Sequence, residues 1–157
     1  MKWKFTLDFG TSTSRQYADY SKVNFDDSKW AEIEIGQAWE DQGYDGYDEG
    51  AWYRVEIEVN AKDDKKPVYM AFGGVDKDAW VYVNGQLIGE HHIWDRPFIL
   101  DVSEAVEYHG KNAIAIRVYD GMGMGMGMGM GMGMGMGGIY GLINLHQPNV
   151  PVDLGSR

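Results

Sequence analysis

The chain has 157 residues, 24 of them Asp or Glu against 14 Lys or Arg, for a formal net charge of −10, and 13% are aromatic with six Trp. This length supports one well-filled core, a single domain over 1–157, and the acidic balance argues against a phosphate backbone or an anionic lipid surface as partner. With no cysteine, neither a disulfide framework nor a thiolate metal site is available, and no apolar run approaches the ~20 residues of a membrane span.

The N-terminal MKWKFTLDFG lacks the apolar centre of a signal peptide and instead opens the first of many short period-two runs. In chain order these are WKFTLD (3–8), AEIEI (31–35), WYRVEIEV (52–59), VYMAF (68–72), AWVYV (79–83), FILDV (98–102), NAIAIRVY (112–119) and IYGLINL (139–145). Gly, Asp and Asn clusters separate them, the pattern of about eight antiparallel strands. Asn84-Gly85, between AWVYV and QLIG, predicts a two-residue hairpin whose central residues take positive φ. Ser103 is placed to cap one short turn, EAVEY, that Gly110 stops. Helical periodicity is otherwise nearly absent, so the predicted class is all-β, a jelly-roll β-sandwich.

Alternation assigns faces. Tyr53, Val55, Ile57 and Val59 should point into the core, as should Val81, Val83, Ile114, Ile116 and Val118. That sends Trp52, Arg54, Trp80, Tyr82, Arg117 and Tyr119 to the opposite side. Such a strip is expected either to form an exposed aromatic groove or to lie under cover.

Between 121 and 138 the sequence is a strict Gly-Met alternation ending in Gly-Gly. Glycine at every second position makes an ordered strand there costly, and the length far exceeds the two to five residues of a hairpin connection, so the tract reads as a low-complexity loop. Its eight thioethers also form a soft-ligand array suited to Cu(I), or a Met face able to lie over the aromatic strip.

The combination of residues resembles a known family. FDDSKWAEIEIGQAWEDQGYDGYDEGAWYRVEIEV, FGGVDKDAWVYVNGQLIGEHHIWDRPFILDVSEAV, GKNAIAIRVYD and GGIYGLINL are similar to the jelly-roll sugar-binding domain of glycoside hydrolase family 2, related to galactose-binding-like modules. The carrying elements include Trp30 with Trp39, Gly-Tyr-Asp-Gly before Trp52-Tyr53-Arg54, Val83-Asn84-Gly85, and Pro97-Phe98 with Asp101. The resemblance implies a non-catalytic sandwich, since the acid and nucleophile carboxylates of those β-galactosidases and β-glucuronidases belong to a separate barrel. It also implies an oligo- or polysaccharide as ligand, a catalytic domain or neighbouring module as partner, and an extracellular or periplasmic setting. Two departures stand out: the Gly/Met tract, and HHIWDRPF where the family usually has His-x-Gly-Gly.

Sugar recognition needs a flat apolar platform for a pyranose C–H face and a few fixed polar groups for its hydroxyls. Three loops, 40–52, 74–80 and 89–97, should converge at one end of the sandwich. They offer Trp94 and Tyr47 as platforms, with Asp95, Arg96, His92, Asp45 and Asp76 as polar partners; Trp80 belongs to the alternative sheet site. The competing reading has Trp94 packed locally, Asp95 paired with Arg96 and the loop aspartates making turns. No organic cofactor is expected. The aspartate-rich first loop offers hard oxygen ligands for a structural calcium, whereas His91 and His92, as strand neighbours, should point to opposite faces. Two other functional classes stay open: a small polysaccharide-degrading jelly roll using Tyr, His and Arg around HHIWDR, and copper binding through the Met array.

Overall fold

The computed structural model describes residues 2–8, 18–44, 49–93, 96–119 and 138–148. Its strands are β1 (Lys2–Asp8), β2 (Ala31–Glu34), β3 (Gly50–Asn60), β4 (Tyr69–Phe72), β5 (Val75–Asp76), β6 (Asp78–Val83), β7 (Gln86–His91), β8 (Phe98–Asp101), β9 (His109–Tyr119), β10 (Gly138–Ile139) and β11 (Ile143–His146). Their ladders are antiparallel: a six-stranded sheet β2-β1-β3-β9-β6-β7, a three-stranded sheet β11-β4-β8 and the short pair β10-β5.

The all-β class is as expected, with eleven strands among the described residues against eight runs, β3 and β9 extending to eleven residues each. QLIG lengthens into β7, pairing with β6 through Asn84 (φ 52°) and Gly85 (φ 84°), the geometry that Asn-Gly supplies most easily. Asn84 is also held sideways, its Nδ2 donating to Ala105 O and Asn112 Oδ1 and its Oδ1 accepting from Ala113 N. The run 139–145 is not one strand: it leaves β5 after Ile139 and joins β4 at Ile143. Gly73 N donates to Leu142 O and Gly141 N to Gly74 O, an approach so close that a Cβ on Gly141 would run into the Gly73–Gly74 backbone. The expected short turn forms after Val102, whose carbonyl accepts from Ala105 N and Val106 N, but the Ser103 side chain does not cap it: the Ser103 N–H and hydroxyl both donate to Asp101 Oδ1, while its Oγ accepts from Val68 N. The two hydrogen bonds from Ser103 hold the Asp101 carboxyl below its ordinary range. Two 3₁₀ turns, Ala18–Ser21 and Trp39–Gln42, carried no period the sequence could show.

The core lies between the sheets. Trp3, Phe5, Tyr53, Val81, Ile114 and Ile116 from the large sheet meet Val68, Met70 and Phe72 from the small one. Trp39 is fully buried there, edge-on to Phe5, which also packs on Tyr53 and Tyr44. Tyr53 Oη accepts a hydrogen bond from Ile139 N at 3.1 Å, fixing the point where the chain re-enters the sandwich.

Of the two arrangements expected for the outward strip, the structure has the covered one. Trp52, Arg54, Trp80 and Arg117 do lie on the face away from the core, yet they are 2%, 6%, 9% and 4% exposed, so among the described residues no open aromatic groove crosses this sheet. Part of the strip lies beneath residues 20–30. Tyr20 sits edge-on to Trp52 at 5.8 Å and to Trp30 at 5.0 Å, and Phe25 closes the cluster. Arg54 clasps this strap, its Nε donating to Asp27 Oδ2 (2.8 Å) and its terminal nitrogens to the carbonyls of Tyr20, Lys22 and Phe25. Trp30 and Trp39, adjacent in the family pattern, therefore serve two separate aromatic clusters on opposite sides of one sheet.

The Gly/Met tract lies outside the described residues, but its anchors do not. Tyr119 pairs with Asp78 and Gly138 with Asp76, so the ends it joins pair with residues only two apart. Closing neighbouring ends through 18 residues rather than about four costs roughly 1 kcal/mol more in loop entropy. A variant with the tract cut to a four-residue Gly-rich link should keep the fold and gain about that much stability in urea melts.

Candidate functional site

The register brings the three predicted loops to one end of the large sheet. Gly50 opens β3 opposite Tyr119, Tyr119 lies opposite Asp78 on its other side, and Ala79 pairs with His91 at the end of β7. Asp8 pairs with Gly50 on the far flank. The roots of loops 40–52, 74–80 and 89–97 thus share a rim with both anchors of the Gly/Met tract.

Among the described residues the rim is organised around two charged groups. Asp8 is 2% exposed and its Oδ2 accepts from Arg117 Nε (2.8 Å) and Trp52 Nε1 (2.9 Å). A buried arginine needs such a partner, because an unpaired charge in this setting would cost several kcal/mol. The guanidinium then lies over two rings, 5.2 Å from Trp80 and 5.8 Å from Tyr119. On Trp80's far side stands His92, edge-on at 5.8 Å. Its Nδ1 is 2.8 Å from Asp78 Oδ1 and its Nε2 3.1 Å from Glu90 Oε1. A neutral imidazole can donate to only one of two carboxylates, so this bridge favours the cation. The hydrogen bond to Asp78 raises the His92 pKa most; burial opposes it, and the hydrogen bond to Glu90 and the charges of both carboxylates add to the rise.

That direction fixes a pH dependence. A folded-state pKa above the unfolded value of about 6.5 means the bridge contributes fully below that pH and is lost as pH rises through the higher folded value. The stability difference between the wild type and His92→Gln, from thermal melts across about pH 5 to 9, should be greatest at the acid end and shrink towards the alkaline end. A difference that grew with pH would contradict the bridge.

The predicted site residues divide accordingly. His92 is in the rim, and Trp80 is in it as a nearly buried ring between Arg117 and His92 rather than as an open platform. Arg96 is exposed and has no ion-pair partner among the described residues. The backbone of Asp76 pairs with Gly138. Trp94, Asp95, Tyr47 and Asp45 lie outside the described residues, as does the aspartate-rich part of the first loop named for calcium. His91 and His92 face opposite ways: His91 stacks on Phe98 at 3.8 Å while His92 meets Trp80. No group of three or more His, Asp or Glu side chains among the described residues is arranged to hold a metal ion. Asp8, Glu90, Asp78 and Tyr119 were missed as rim residues. Alternation along β1 puts Asp8 on the face away from the core, the same face as Trp52 and Arg117, which is the signal that could have found it.

The comparisons with known proteins agree with this architecture. The family model for the glycosyl hydrolase 2 galactose-binding domain-like domain matches residues 37–127, more than half of the chain. A putative β-glucuronidase of Formosa agariphila is 33% identical over 132 residues, 76% of this chain and 12% of the relative. A β-galactosidase of Thermoanaerobacter pseudethanolicus is 33% identical over 106 residues, 64% of this chain and 14% of the relative. Among solved structures, the Bacteroides uniformis β-glucuronidase superposes with a TM-score of 0.74 at 25% identity over 92% of this chain and 16% of that one. The chain thus spans only about an eighth of the curated relatives it matches. With this match, its two-sheet fold and its sequence signature, the chain belongs to the galactose-binding-like domain family of the family 2 glycoside hydrolases.

Proposed function

We propose that this chain is a non-catalytic carbohydrate-binding module, serving as an accessory or targeting domain. The observation that carries the reading is the convergence at one rim of Trp80, Tyr119, His92 and the roots of three loops rich in aromatic and acidic residues, while Trp52 and Arg54 on the same face lie beneath the strap. A pyranose requires a flat ring face with hydrogen-bonding groups beside it, and on this reading the loop aromatics Tyr47 and Trp94 supply that face at the rim. The matched stretch is 12% of one relative and 16% of one solved chain, so the reading concerns this domain alone. On this reading the ligand is an oligo- or polysaccharide, and a catalytic domain or neighbouring module is the protein partner.

Affinity should be modest. A half-covered ring removes ~50 Å² of apolar area, about 1 kcal/mol at ~25 cal/mol per Å². Two or three such rings with hydrogen bonds that largely exchange with water reach ~4 kcal/mol, a millimolar Kd, so tandem copies or a polymeric ligand would be needed for retention. Calorimetric titration with galactosides, glucuronides and plant or algal polysaccharides should show binding that the double substitution Trp94→Ala with Asp95→Ala weakens by about tenfold or more. Binding unaffected by that variant would remove the loop site, and release of reducing sugar or of unsaturated product would overturn the non-catalytic reading.

A further inference from the structure

At the opposite end of β3 from the rim, a full 11-residue strand away and so roughly 33 Å distant, a groove of about 450 Å³ opens between the end of β3, the 61–66 loop and the end of β11. Its volume lies in the range of small-ligand sites. Val59, Val68, Leu145 and Pro148 give it an apolar lining, and Lys62 and Lys66 line it as well.

The loop that carries the lysines is unusually well fixed. Gln147 spends its whole side-chain amide on it: Oε1 accepts from the N–H groups of Lys62 and Asp63, and Nε2 donates to the carbonyls of Asp63 and Lys66. Tyr108 Oη donates to Lys66 O from below. Two carboxylates, Glu58 and Asp63, share the groove with the lysines. Asp63 Oδ1 accepts from Lys65 N, and Asp64 Oδ1 lies 2.5 Å from His109 Nε2. Lys62 and Lys66 have no ion-pair partner among the described residues, although the chain is strongly acidic overall. Glu58 and His146 complete the wall with groups able to meet hydroxyls.

We infer that this groove is a second binding site, for a carboxylate-bearing sugar: the lysine pair on a pinned loop takes the carboxylate, Glu58 and His146 take hydroxyls, and the apolar lining takes a C–H face. A preorganised loop binds without the ordering cost that a free one would incur. The site shares no residue with the rim and stands or falls separately from it.

The test is an amide-resolved NMR titration of the full chain with sodium galacturonate, with galactose as the uncharged counterpart and inorganic phosphate as the bare anion. Galacturonate should shift the amides of Lys62, Asp63, Lys66 and Gln147 saturably, galactose and phosphate should do so at least about tenfold more weakly, and K62Q with K66Q should lose about the same factor. The variant's own spectrum reports its fold, and the comparison of galacturonate with galactose on the wild type needs no variant. No shift at these amides, equal shifts with galactose or phosphate, or undiminished binding by the double variant would each overturn the site. Amides of Asp78 and His92 report the rim in the same spectra, so failure at one end is distinguishable from failure at the other.

Discussion

Asp8→Ala is expected to be among the most damaging single substitutions on the outer face, lowering folding stability by about 3–5 kcal/mol in urea or thermal melts. The carboxylate contributes almost no surface, being 2% exposed, yet it accepts from both Arg117 Nε and Trp52 Nε1. Removing it leaves a guanidinium that is itself 4% exposed without this counter-charge, and a buried indole N–H without its acceptor. The effect should depend on Arg117. In the double variant Asp8→Ala with Arg117→Met the stranded charge is gone and much of the loss should return, as expected when a buried ion pair is replaced by apolar side chains. If the double variant were as unstable as the sum of the two single variants, the pair would not be coupled as the geometry requires.

The second large effect is expected at the strap. Arg54→Leu removes four hydrogen bonds to Asp27 and to the carbonyls of Tyr20, Lys22 and Phe25. Charge-assisted bonds are worth about 1.5–3 kcal/mol each in place, but the freed carbonyls can turn to water, so a net loss of about 2–3 kcal/mol is expected. The signature is local. Hydrogen exchange should speed up across 18–30, and acrylamide should reach Trp52, which is now edge-on to Tyr20 and 2% exposed. Protection of 18–30 unchanged from the wild type would show that the aromatic cluster of Tyr20, Phe25 and Trp30 holds the strap without the arginine.

These two arginines also show where sequence reading reached and where it stopped. Alternation placed Arg54 and Arg117 on the face away from the core correctly, because the period of a strand fixes which side a residue takes. It could not say what covers that side. Residues 50–54 of β3 are buried on both faces, and alternation of burial begins only at Val55, where the strap no longer reaches. The strap itself has no strand period and only one 3₁₀ turn, Ala18–Ser21, so its packing on Trp52 follows from aromatic shape and the Arg54 clasp, long-range contacts that no local window contains. Asn84-Gly85 was legible for the opposite reason: positive φ at two adjacent residues is a local demand with a local answer. The break in 139–145 was hidden because its cause, the close pass of Gly73 and Gly74, lies some 70 residues upstream.

The same distinction holds for the rim. That three loops would share one end was readable from strand order in a jelly roll, and the pairing of Gly50 and Asp78 with Tyr119 agrees. The bridge of His92 between Asp78 and Glu90 was not readable, since it depends on the β6–β7 register, with its irregularity between Val81 and Tyr82 setting which carboxylates face the imidazole. HHIWDR drew attention to Trp94 and Asp95 as contact groups, while the described geometry adds Asp78, Glu90 and Tyr119 as the frame that carries that segment.

The most direct measurement is an amide- and indole-resolved NMR titration with a galactoside oligosaccharide, following Gly50, Asp78, His92 and Tyr119 at the rim and Tyr20, Trp30 and Trp52 under the strap. The account predicts saturable shifts at the rim with the strap signals still. Shifts confined to the strap cluster, or none at the rim with any of the saccharides that bind, would contradict it.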